Sequence, residues 1–346
     1  MSAFGGIKGT IRHALRKRGY HVYRISDEER SQLDAHERHS SARTVPADFG
    51  TDLSRLRELK TRYALVQLPV TSHSLWSAKG HSETKPDIGR GGVDLHNFRA
   101  DSAYVFSYAG ADPLAARLRY YLYADAIRRK DSMALLGKLH EDGAFGCVHF
   151  EYPGLGRVSR DLLDSVAELN FLHKHLAVLE RDDWSVLDIG AGYGRMAHRM
   201  LEANPRMKSY SCVDAVPEST FLCELYLRYR RVPDAARVVP LDQVQQTMSS
   251  TSYDLAINVH SFAECTFAAI EWWLNQLKSA GVRRLMIVQN DPERFLSTEA
   301  DGTRRDYRPV LRKLGYELSV REPVLDDPAA QDVMQVKDHM FLFVLA

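Results

Sequence analysis

An α/β fold is predicted for this chain: a mostly parallel sheet of seven strands with a reversed last strand, preceded by a mainly helical amino-terminal region. Three observations carry that prediction. From Asp183 onward, short apolar runs alternate with helix-length segments, the pattern of strands joined by helical crossovers. One apolar run, residues 186–189, leads into three alternating glycines, Gly190, Gly192 and Gly194, with a helix beginning near Arg195. The chain closes on a dense apolar run, residues 339–345, with no helix after it. A strand that returns there through a loop would run antiparallel to the others.

Taken in order, residues 7–19 place Ile7, Ile11 and Leu15 at helical spacing among Lys8, Arg12, Arg16, Lys17 and Arg18. This is a short basic amphipathic helix, read as packed on its own domain rather than on a membrane. Residues 26–54 and 72–92 are rich in charge, Ser, His and Gly, and read as loops. Residues 98–130 are aromatic and helical, with Leu114, Leu118, Tyr121 and Leu122 on one stripe. Residues 147–152 form a strand or extended segment. Ser159 then has the position of an N-cap for a helix carrying Leu162, Leu163, Val166, Leu169, Leu172 and Leu176. The division falls here: residues 1–158 are the mainly helical region, and residues 159–346 the sheet domain. Strands are expected at 186–189, 210–214, 237–242, 253–258, 284–289, 316–320 and 339–345. Helices are expected at 196–203, 218–230, 267–280 and 306–314.

The glycine run decides the ligand class. Glycine there lets backbone approach a ligand and adopt positive φ, and a strand, glycine turn and helix N-terminus make a nucleotide-type cradle. A dinucleotide fingerprint would place its third small residue at Arg195, which is too large for close helix–strand packing. Asp188, just before Gly190, is unfavourable beside a pyrophosphate and favourable beside the ammonium of a methionine moiety. Asp214 ends the second strand about twenty residues on, the spacing at which an acid grips ribose hydroxyls. The cradle is therefore read as a site for S-adenosyl-L-methionine. Its expected contacts are Asp188, Gly190, Ala191, Gly192, Gly194 and Asn258, with Asp214 on the ribose and Asp242, at the third strand's end, near the adenine.

Composition excludes several classes. A net charge of +1 over 346 residues gives no basic field for nucleic acid. Four scattered cysteines, without a C-x-x-C pair, argue against zinc and a disulfide framework and for a reducing compartment. No apolar run reaches the roughly twenty residues of a membrane span, and residues 1–26 lack a signal-peptide core. A cytoplasmic enzyme is expected, with a homo-oligomer compatible.

Four blocks carry a family resemblance. They are Phe145-Gly146 with Val-Ser-Arg-Asp-Leu-Leu-Asp-Ser at 158–165, Leu-Asp-Ile-Gly-Ala-Gly-Tyr-Gly at 187–194, Ile-Asn-Val-His-Ser-Phe-Ala-Glu at 257–264, and Gly315-Tyr316 with the closing strand. From about Phe98 onward the chain resembles bacterial sugar O-methyltransferases, a subgroup of the Rossmann-like class I enzymes that use S-adenosylmethionine. The second block is common to most such enzymes; the first and third are far more specific. Cys265 stands where the family often has methionine. The resemblance implies methyl transfer to a hydroxyl of a saccharide, whether polysaccharide, glycolipid or glycosylated metabolite. A non-sugar natural product as acceptor is the alternative, and a donor-binding protein without catalysis is another.

Such chemistry needs a base in the loop after the fourth strand, where His260 and Glu264 are the ionisable residues. Alternatively His260 shapes that loop by hydrogen bonding. A divalent metal on Asp254, Glu264, Asn290 and Asp291 is the less favoured variant, because Asp254 opens its strand at the far end. Residues 1–158 are expected to supply the acceptor side and a lid.

Overall fold

The computed structural model describes residues 52–71, 95–100 and 113–346. The basic helix expected at 7–19 lies outside these residues, as does nearly all of both expected loops.

The amino-terminal region contributes α1 (Ser54–Ala64) and α2 (Pro113–Lys130). On α2 the buried stripe is Ala116, Tyr120, Tyr123, Ala124 and Ile127, whereas Leu118, Tyr121 and Leu122 are exposed. The expected stripe is thus the wrong face. The tyrosines on the buried face find hydrogen-bond or ring partners inside, as Tyr123 does by donating to Asp164, so hydrophobicity alone misreads them. A hairpin of β1 (His149–Tyr152) and β2 (Gly156–Ser159) follows. Only its first strand was expected. Ser159 caps α3 (Arg160–Leu176), its Oγ accepting from the Leu162 N–H at 3.0 Å.

The sheet is built from β3 (Ser185–Ile189), β4 (Ser209–Val213), β5 (Ala236–Val239), β6 (Leu255–Val259), β7 (Arg284–Gln289), β8 (Tyr316–Pro323) and β9 (His339–Leu345). Among the described residues its order is β5-β4-β3-β6-β7-β9-β8. β3 to β7 are mutually parallel, and β9 runs antiparallel to both β7 and β8. This is the expected Rossmann-like sheet with its reversed last strand. Central β3 is buried at all five positions, as a strand covered on both faces must be. The connections are α4 (Arg195–Ala203), α5 (Pro217–Tyr229), α6 (Val244–Ser250), α7 (Phe267–Ser279), α8 (Arg308–Lys313) and α9 (Pro328–Met334). The short α6 and α9 were not anticipated. Chain order reverses direction across the sheet between β3 and β6, so a crevice opens at the carboxyl ends of these strands.

The described elements before residue 159 pack on helices that follow it, α1 on α5 and α2 on α3. Arg55 pairs with Glu224 and Lys60 with Glu218 across the first contact. Tyr63 donates to the Asp214 carbonyl at 3.3 Å and accepts from the Leu241 N–H at 2.9 Å, tying α1 to the ends of two strands. Deeper inside, Arg99, Glu141, Asp161 and Arg199 form a fully buried, charge-neutral quartet.

Candidate active site

A cavity of about 540 Å³ occupies the crevice. Asp188, Gly190, Ala191, Gly192, Asp214, His260 and Glu264 all line it. Sequence positions 76 residues apart are brought together because β3, β4 and β6 are neighbours and their carboxyl ends share one edge.

The glycine loop has a distinct job at each position. Gly190 (φ +75°) faces Ser261, and a Cβ there would collide with that side chain. Gly192 donates its N–H to Asp214 at 3.0 Å. Gly194 (φ +85°) packs on Cys223 and Leu227, so it serves helix packing and does not line the cavity. The small residue needed for close packing is therefore Gly194. Arg195, one position on, turns instead to a buried ion pair with Glu168 at 2.8 Å.

Two carboxylates flank the loop. Asp188 is buried and accepts from the Tyr210 hydroxyl at 2.9 Å. Burial pushes its carboxyl up to about 7. Asp214, partly exposed, accepts from the N–H groups of Val216 and Gly192. Burial likewise pushes it up to about 7, against those two hydrogen bonds. Both sites favour a ligand that brings a cation or hydroxyl donors.

His260 follows β6 in the left-handed region, φ +63°, which a non-glycine residue rarely adopts. Its N–H donates to the Val288 carbonyl at 2.9 Å and its carbonyl accepts from Ala263, and these bonds hold the turn. Its Nε2 stands 3.4 Å from a carboxylate oxygen of Asp338. Glu264 is near enough to Asp214 to help raise that carboxyl. Both expected catalytic residues line the one cavity.

Besides Gly194, two more expected contacts do not reach the cavity. Asn258 is buried, giving its amide to the Ile189 carbonyl at 2.8 Å and accepting from the Phe262 N–H at 3.0 Å. It latches the post-β6 turn to the glycine loop. Asp242 is held on the outer surface by a forked pair of hydrogen bonds from Arg62; α1 captures it before it can turn inward. The metal set does not assemble, because Asp254 accepts from the Ser185 N–H at the opposite end of the sheet. Among the described residues no group of three or more His, Cys, Asp or Glu side chains is arranged to hold a metal.

Sequence reasoning missed Arg160, Asp164, Glu168 and Asp338, which also line the cavity. The first three sit in or just beyond the Ser-Arg-Asp-Leu-Leu block, whose spacing places one face of α3 on the crevice. Val70 contributes from the amino-terminal region.

No family model and no curated protein matches the chain. Among solved structures, the chain is similar to magnesium protoporphyrin IX methyltransferase from Synechocystis PCC 6803 with bound SAM, at 14% identity over 68% of this chain and 99% of that one, TM-score 0.37. It is also similar to the mitomycin 7-O-methyltransferase MmcR, at 16% identity over 53% and 57%, TM-score 0.35. A third likeness is to the methyltransferase domain of bacterial CtHen1, at 18% identity over 52% and 99%, TM-score 0.37. At these values the likenesses add nothing to what the strand order itself shows. No helix among the described residues is long and apolar enough to cross a membrane.

Proposed function

We propose that this protein is an S-adenosylmethionine-dependent O-methyltransferase whose acceptor is a hydroxyl of a saccharide or glycosylated metabolite. One observation carries the reading. Two carboxylates, Asp188 and Asp214, stand at the carboxyl ends of adjacent parallel strands around a glycine loop, in one cavity with His260. Asp188 suits the donor's ammonium, Asp214 its ribose hydroxyls, and the backbone of Gly190 to Gly192 its close approach. Once bound, S-adenosylmethionine supplies a methyl group activated by a sulfonium. The chain's own work is to align the acceptor, exclude water and take the hydroxyl's proton, a role assigned here to His260. Glu264, beside Asp214, is assigned to the donor side instead. Val70 supports a part for residues 1–158 in closing the site. The saccharide assignment rests on the two specific sequence blocks, both of which bring side chains to this cavity: Arg160 and Asp164 from one, His260 and Glu264 from the other. A cytoplasmic location fits the same reading.

Calorimetry on the purified protein tests the donor. S-adenosylmethionine and its demethylated product should bind and NAD should not; Gly192→Val should abolish binding with the fold kept. Asp214→Ala should cost on the order of 1.5–3 kcal/mol per ribose hydrogen bond. NAD binding, or full donor affinity in both variants, would refute the site. A labelled-methyl screen of nucleotide sugars, glycosides and phenolic natural products then separates saccharide from non-sugar acceptors. A donor-binding protein without catalysis would label none of them.

A further inference from the structure

We infer that Asp338 is the positioning residue for His260, held in place by Arg160, so that the imidazole presents Nδ1 to the cavity as the proton-accepting atom. The inference rests on the proposed role of His260 and adds the group that would orient it. Nothing in the sequence suggested the pair, which lies 78 positions apart and meets only because β9 returns antiparallel beside β7.

The geometry is a charge contact at the edge of hydrogen-bond reach, backed by a fixed guanidinium. One oxygen of Asp338 is 3.4 Å from His260 Nε2. The other accepts from Arg160 Nη2 at 3.2 Å. Arg160 is itself fixed from behind, its Nε donating to Asp164 at 2.6 Å, and Asp164 accepts from the Tyr123 hydroxyl at 2.7 Å. Arg160 and Asp338 are both buried, so neither carboxylate nor guanidinium swings freely. The His260 side chain, by contrast, is 42% exposed and lines the cavity. The rigid half of the pair is thus Asp338, and the reachable half is His260. A left-handed φ at His260 is a backbone cost that survives only where the surroundings impose it, and here it delivers the ring to the carboxylate.

Chemically, a carboxylate facing Nε2 favours the tautomer with hydrogen on that nitrogen, leaving the lone pair on Nδ1. When Nδ1 takes a hydroxyl proton, the O–H bond breaks, an N–H bond forms, and the resulting imidazolium faces Asp338. Glu168 of α3 is coupled electrostatically to this ring, and Asp164 and Arg160 from α3, Lys337 from the segment before β9, and Glu264 from its own turn line the same cavity. Asp338 is a carboxylate that the structure pairs with the ring.

The full chain labelled with ¹⁵N-histidine gives a readout independent of turnover, with the His260 signals assigned by their loss in His260→Gln. In the native protein they should report hydrogen on Nε2. In Asp338→Asn the tautomer preference should fall away; Asp338→Glu should restore part of it. On the acceptor found by the methyl screen, Asp338→Asn should lower kcat about 10²-fold while leaving the affinity for S-adenosylhomocysteine, measured by calorimetry, unchanged. A native Nδ1–H tautomer, or spectra and kcat unaffected in Asp338→Asn, overturns the inference. Should S-adenosylhomocysteine fail to bind the native protein, the methyl-transfer reading falls while the pairing of His260 with Asp338 is still decided by the spectra.

Discussion

Asp188 and Asp214 look alike in sequence, each an acid at a strand end, and they share a physical state that sequence does not show. Both are held near pH 7 by burial, far above the roughly 3.9 of a free aspartate. The sign of the consequence follows directly. The folded state keeps protons that the unfolded chain gives up, so these two groups favour the fold at low pH, and that contribution is lost as pH rises from about 4 through 7. A donor carrying an ammonium and ribose hydroxyls demands the ionised forms, so binding must expel the protons. Calorimetry with S-adenosylhomocysteine at pH 6.5 in two buffers of different ionisation enthalpy should reveal net proton release, falling to nothing by pH 8.5. The stabilisation by ligand should correspondingly be larger at pH 8 than at pH 5.5. Binding with no proton change at pH 6.5 would mean that neither carboxylate meets the donor.

Elements built from local pattern were legible, and those built by distant convergence were not. The glycine turn after β3 was readable because strand, glycines and helix start follow one another within a dozen residues. The central parallel strands were readable because covering both faces leaves continuous apolar runs. α6 and α9, seven residues each, offer too few turns for periodicity to register. Asp242, expected at the end of a strand, lies in a 3-10 turn three residues past Val239, where β5 ends, and only the fold brings Arg62 to it. The interlock of the glycine loop with the post-β6 turn is likewise invisible locally, and it can be tested with two glycines of matched backbone. Gly154 (φ +77°) has nothing near an added Cβ, whereas at Gly190 (φ +75°) the Cβ meets Ser261. Gly154→Ala should cost about 1 kcal/mol of backbone strain. Gly190→Ala should cost roughly 1–3 kcal/mol more from overpacking and should weaken donor binding. Equal urea midpoints for the two variants would show that the loop and turn are not locked together.

Among the described residues, the elements before residue 159 and those after it meet through buried charge as well as apolar packing. Arg99 and Glu141 come from the former, Asp161 and Arg199 from the latter, and the Tyr193 hydroxyl of the glycine loop donates to Asp161. Burial penalises every member, yet the opposing charges keep Asp161 well below the usual carboxylate range. What matters energetically is therefore the balance of the set and not any single pair. Removing one partner leaves a buried charge uncompensated, which costs about 3–5 kcal/mol. Removing one charge of each sign from the same side keeps neutrality. Glu141→Gln alone should accordingly destabilise by that amount, because two guanidiniums then face one carboxylate. Adding Arg99→Met to Glu141→Gln should cost less than the sum of the two single changes, with a coupling energy within the roughly 0.5–3 kcal/mol expected of residues in one network. Urea unfolding of the four chains measures this cycle. Strict additivity would mean that Arg99 and Glu141 contribute independently, and that the quartet does not act as one balanced set.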